Sequence, residues 1–308
     1  MPSLGNDIFV NTSTSAAAFV VLYYDYLLTL SMEQERYWTK KSLNWPGCLF
    51  FTNRYIAVIG HLPVMYQTFG EFLDLPIIVK NPYQFGQFTL YHSLLVLLLQ
   101  ICTEALLIVR MYALYARDFR MLCAMLILAA APIAISCRVI AIAQVRGFAE
   151  GPLDVRQGHQ IAVAWSAFLA FDTIIFILTM WRVFTIGLAR RQPLLQALLR
   201  DGILYYIVLL GANLFNIILL LRETPVLKGM MTTASNVLSV TIISRLMLNI
   251  RDPRLGRRVN NLPTNTVPPL SDPPTTSVAP QLSTVIELES RAHAHPATTN
   301  MMSGGSAV

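Results

Sequence analysis

Charge is what this chain has least of. Only 13% of its residues are Asp, Glu, Lys or Arg, against about 25% in a soluble domain, too few to cover a surface that faces water on all sides. Cysteine is also scarce: Cys48, Cys102, Cys123 and Cys137 all fall in apolar stretches and no CxxC pair exists. A zinc spacing and a disulfide framework are therefore excluded, and the four read as small buried hydrophobes. No GxxxxGK[ST], HExxH or GxSxG element is present, so the chain is expected not to be an enzyme, and no cofactor motif is found. Lys228 lies at the boundary of the last apolar stretch and no lysine lies inside it, which excludes a retinal Schiff base there. An Asp-Arg-Tyr triplet at the end of the third stretch and an NPxxY element in the last are missing too. The first Lys or Arg is Arg36, so a signal peptide's basic n-region is lacking and the first stretch reads as an uncleaved helix. The net charge of +6 comes without a clustered basic surface, which argues against a nucleic-acid partner.

What the chain has is length without charge. Residues 14–30, 46–69, 87–109, 121–145, 160–181, 202–221 and 229–248 form seven apolar stretches of 17 to 25 residues, each long enough for a hydrocarbon core of roughly 30 Å. The expected fold is all-α: a polytopic membrane protein with a seven-transmembrane-helix bundle, its partner the lipid bilayer. It divides into a short outer N-terminus (1–13), the bundle (14–250) and a tail (251–308). Seven prolines between 263 and 296, among Ser, Thr, Asn and Ala, predict a disordered tail that cannot offset its own conformational entropy. Fourteen Lys and Arg residues follow the odd-numbered helices and five occupy the opposite loops. That bias puts the odd loops and the tail in the cytoplasm and the N-terminus outside. Asn11-Thr12-Ser13 is then an outer-side glycosylation sequon close to the first helix, and Trp38, Trp45, Tyr112, Tyr115 and Trp181 lie at inner boundaries.

Six ionisable residues fall inside the apolar stretches: Asp25, Arg54, Glu104, Arg138, Asp172 and Arg245. Each costs about 2.5–3.5 kcal/mol to insert and is expected to face the bundle interior. At about 1.5 Å per residue, Asp25, Arg54, Glu104 and Arg245 share one inner-half layer. Asp25 and Arg54 sit on a helical hairpin and are expected to pair. Glu104, four residues from Gln100, is expected to reach Arg245 or Arg54. The layer reads either as a network that changes on activation or as static pairs that order the bundle. Arg138 and Asp172, nearer the middle or outer half, are candidates for lining an outer cavity. His61, His92 and His159 lie near outer ends as single positions without HxxxH spacing, so no metal site is expected. Asn213 and Asn216, with Thr232, Asn236 and Ser239, read as interhelical glue or as pocket lining.

Residues 24–30 (YDYLLTL), Glu33, Glu35, Trp38 and 49–55 (LFFTNRY) resemble the N-terminal domain, here about residues 20–70, of a family of multi-pass membrane proteins from mushroom-forming fungi, catalogued as a domain of unknown function (number 6533). The resemblance continues through 110–115 (RMYALY), 200–206 (RDGILYY) and 244–251 (SRLMLNIR). It implies a fungal seven-helix membrane protein and transfers no catalytic or ligand residue. The resulting expectation is a receptor-like protein, most naturally in the plasma membrane rather than an internal one. It would sense a small-molecule ligand and meet a cytoplasmic signalling protein. A transporter or channel is the alternative, and an intramembrane enzyme or a scaffold comes after it.

Overall fold

The computed structural model describes residues 2–38, 44–70, 82–145, 155–189, 193–222 and 229–251. The loops bearing Lys40, Lys41, Lys80 and Arg146, and the tail beyond residue 251, lie outside them. Among the described residues there are seven α-helices and no strand: α1 (Pro2–Glu33), continued by a π-helical turn (Gln34–Trp38), α2 (Trp45–Phe69), α3 (Pro82–Leu114), α4 (Phe119–Val145), α5 (Val155–Ala189), α6 (Pro193–Arg222) and α7 (Met230–Ile250). All seven are long and apolar enough to cross a bilayer. A chain in hydrocarbon must satisfy its backbone internally, and helices do so without partners.

The helices close a ring in chain order, α1 meeting α7, with α7 also packed on α2 and α3, and α3 on α5. Large apolar side chains such as Val20, Leu27, Ile127, Leu204 and Ile218 project from the ring, as expected where the solvent is lipid rather than water. The helices differ in how much protein surrounds them: 72% of the spanning window of α7 is buried, against 22% for α4. That contrast explains the sequence of α7. Its Ser235, Asn236, Ser239, Thr241 and Ser244 are all buried; Ser235 donates to the Ala212 carbonyl of α6 and Asn236 to the Val96 carbonyl of α3, while Ser239 and Thr241 donate to carbonyls of α7 itself.

The core is layered along the bundle. Phe19, Leu22, Ala57, Val64, Leu95, Leu99, Val237 and Val240 bring α1, α2, α3 and α7 together in one half. Tyr37, Phe50, Leu106, Ile243 and Leu248 do so where α1 ends and α2 begins, here termed the cage end. Ile108, Met111, Met125, Phe171 and Ile175 join α3, α4 and α5. Gly60 allows α2 and α3 to approach, since a Cβ there would stand 2.5 Å from Leu95 Cδ1, while its carbonyl accepts from the Tyr91 hydroxyl at 2.7 Å.

The helices run past the ends of the apolar stretches, as in α3, α5 and α6, and α1 does so most. α1 starts at Pro2, not near residue 14, so Asn11-Thr12-Ser13 is helical. Its end also moves, from 30 to Glu33 with a π-turn beyond. Hydropathy stopped at 30 because Glu33, Glu35 and Arg36 follow, yet Glu33 and Arg36 are buried and have partners that keep the helix inside the protein. The cysteines also differ: Cys102 is buried, Cys48 and Cys123 are half-buried, and Cys137 is exposed on α4.

Candidate functional site

The stripe Ala18, Leu22, Asp25, Thr29, Glu33, Arg36 runs down α1 at steps of three and four residues, and all six are buried. Such spacing puts them on one helix face, apolar at one end and charged at the other. The charged end builds a cage. Glu33 lies 2.8 Å from Arg54 Nε; that N–H is not aligned for a hydrogen bond, so the contact is charge attraction. One Glu33 oxygen accepts from the Tyr55 hydroxyl at 3.0 Å and from the Trp38 indole N–H at 3.1 Å. Trp38 reaches back five residues, the spacing that a π-turn makes adjacent. Arg54 Nη2 donates to the Tyr26 carbonyl at 3.0 Å and to Thr29 Oγ1 at 2.7 Å, and Thr29 donates to the Asp25 carbonyl at 2.6 Å. The guanidinium also sits 4.8 Å from the Tyr26 ring centre, a cation–π distance.

α7 closes the cage. Asp25 pairs with Arg245 Nε. Arg36 Nη1 donates to the Leu248 carbonyl at 2.6 Å, which also accepts from the Arg251 backbone N–H at 3.1 Å. The Arg251 guanidinium lies 4.1 Å from the Tyr37 ring centre, and that ring stacks on Phe50 at 4.3 Å. The two ion pairs differ in environment. Arg54 and Glu33 are sealed from solvent, whereas the Arg245 side chain is 39% exposed.

Both pairings differ from the expected ones. Asp25 faces α7 and not the hairpin partner Arg54, which takes Glu33 instead. Glu104 reaches neither arginine, because α1 holds both. It is buried on α3, and both its carboxyl oxygens are without a hydrogen-bond partner. Its neighbour is another acid. α5 runs beside α3 at a constant offset: Thr179 donates to Met111 Sδ and Arg182 Nε to the Leu114 carbonyl. The same offset sets Asp172 level with Glu104, and the two carboxyls are close enough to interact electrostatically. Asp172 is buried with Oδ1 unpartnered. Arg138, expected to share a cavity with it, stands on the exposed face of α4.

α3 and α7 also run in register. His92 Nε2 meets Thr233 Oγ1 at 3.1 Å, and Asn236 Nδ2 donates to the Val96 carbonyl at 3.2 Å. Continued two turns, this register sets Ser244 level with Glu104. Thr103 donates to Asn53 Oδ1 at 3.4 Å, joining α2 to the same layer. Toward the far end Thr232 meets Asn216 at 3.4 Å, while Asn213 is buried with Oδ1 unpartnered. Of the histidines, His61 is buried and bonded to the Ala57 carbonyl, and His159 is exposed. Among the described residues no group of three His, Cys, Asp or Glu could hold a metal ion.

The sequence reading missed Glu33, Arg36, Thr29 and Tyr37. Their signal was the three-and-four spacing continued from Asp25, which outlasts the hydropathy of the helix.

The helix lengths and the lipid-facing apolar side chains define an integral multi-pass membrane protein. Residues 13–59 match the model of a family of unknown function, DUF6533. The chain is similar to that family over the stretch from α1 through the π-turn into α2, which holds every cage residue except those of α7 and Arg251 at its end. The matched window begins and ends earlier than the 20–70 expected. No curated protein and no solved structure matches the chain.

Proposed function

We propose that this is a receptor-like, non-catalytic protein of the plasma membrane, with its N-terminus outside and its cage end at the cytoplasm. A small ligand would bind among the helices toward the far end and shift α7. The shift would reach a cytoplasmic signalling protein through the arginine-bearing loops. The observation that carries this reading is the Asp25–Arg245 pair, whose arginine is partly exposed, the ionic link between α1 and the central helix. A sealed pair is hard to break, whereas an open one can exchange its partner for water or headgroups at small cost. α7 spans from the His92–Thr233 contact to the Arg36–Leu248 contact, so movement at one end changes bonds at the other. Only a ligand that binds one arrangement more tightly than the other can shift that equilibrium.

The test is nucleotide exchange on heterotrimeric G proteins by the full chain in nanodiscs, across a broad ligand panel. The reading expects ligand-dependent exchange and raised basal exchange in Asp25→Asn. Absence of both in a folded preparation would remove it. The transporter or channel reading is favoured by the Glu104–Asp172 pair. It expects liposome flux that falls in Asp172→Asn; flux indifferent to that substitution rejects it.

A further inference from the structure

The layer around Glu104 lacks a positive charge. Two buried acids stand level on α3 and α5, and the two arginines of that layer, Arg54 and Arg245, are already engaged by Glu33 and Asp25. Unpaired buried carboxylates are costly. The oxygens around them are also unused. Gln100, one turn before Glu104 on the same helix face, is buried with Oε1 unpartnered. Ser244, level with Glu104 in the α3–α7 register, is buried with Oγ unpartnered. Neither residue is acidic, and both are buried. Two carboxyls, an amide carbonyl and a hydroxyl make a set of hard oxygen donors, without the nitrogen or sulfur that would select a transition metal. Two acids fall short of the carboxylate number typical of a tight calcium site.

We propose that Glu104, Asp172, Gln100 Oε1 and Ser244 Oγ form a binding site for sodium between α3, α5 and α7. Sodium there supplies the missing charge and satisfies four side chains that the helices leave without partners. It also ties α7 to α3 and α5 in the layer where α7 is tied to α1 by Asp25. The site stands on this geometry alone and holds whether the protein is a receptor or a transporter.

The test is thermal unfolding of the full chain in nanodiscs at constant pH and ionic strength, exchanging sodium for potassium or choline. Saturating sodium is expected to raise the midpoint by about 5 °C, the size that binding well above Kd gives a domain of this length. Glu104→Gln and Asp172→Asn are expected to lose that rise, and Ser244→Ala to weaken the apparent sodium affinity several-fold. Asp25→Asn, which alters the paired acid of the same end, is expected to keep the rise. Binding of ²²Na⁺ at one ion per chain, absent in Glu104→Gln, is the independent readout and does not depend on any variant's stability. A sodium response equal to that of potassium and choline, no ²²Na⁺ retention, or a response unchanged in both acid variants would each overturn the proposal. Stabilisation by acid alone, with none by sodium, would assign the layer to a proton and overturn it equally.

Discussion

The α1–α2–α7 end of the bundle and the α3–α5 seam bury charge in opposite ways. In the first, Glu33 has a cation and two neutral donors, and Arg54 has a carboxylate, a carbonyl and a hydroxyl. In the second, Glu104 has another acid and no hydrogen bond. Both lie in helices of one membrane domain, so the difference is not one of depth alone. A low-dielectric interior strengthens attraction and repulsion alike. The cage joins three helices through paired charges, whereas the seam leaves buried carboxyl oxygens without partners.

The largest break in that contrast is expected from Arg54→Met. It leaves Glu33 charged and sealed, and removing one partner of such a pair costs about 3–5 kcal/mol. Unfolding in bicelles should register a loss of that size, with low yield of folded protein. Gly60→Ala tests packing apart from charge. Its new methyl must displace Leu95, with a cost of about 1–3 kcal/mol, and the cage contacts should persist. Glu104→Gln should move the other way. Replacing an unpartnered acid by a neutral isostere is expected to raise stability in sodium-free buffer by about 1 kcal/mol. The smallest effect is expected from Asp25→Asn, about 1 kcal/mol or less, because Arg245 is partly exposed and exposed pairs contribute little. Its signature should be functional, as raised basal signalling, rather than a lost fold.

Much of this architecture was legible in the sequence. Apolar length alone located seven helices, because hydrocarbon thickness sets a minimum that few soluble segments reach. Rise per residue put Asp25, Arg54, Glu104 and Arg245 in one layer; of these the structure pairs Asp25 with Arg245 and leaves Glu104 without a hydrogen-bond partner. What the sequence did not disclose was rotation. Asp25 and Arg54 share a hairpin, yet Asp25 faces α7, and only the packing of α1 against α7 decides that. Glu33 was hidden by a hydropathy average that ended one turn early, although its place in the buried stripe of α1 was readable. Asp172 was expected nearer the middle or outer half. The offset between α3 and α5 lowers it to the level of Glu104, and that offset depends on contacts such as Thr179 to Met111, which no spacing within α5 reports. Arg138 lies on a helix with few buried positions, and its exposure follows from the low burial of α4 as a whole.

Both halves of the contrast meet in one measurement: paired double-mutant cycles by reversible unfolding in sodium-free bicelles, Glu33→Gln with Arg54→Gln and Glu104→Gln with Asp172→Asn. The account predicts an attractive coupling of about 2–4 kcal/mol for the first pair and a repulsive one of about 1 kcal/mol for the second. Couplings of the same sign, or none for Glu33 with Arg54, would contradict it.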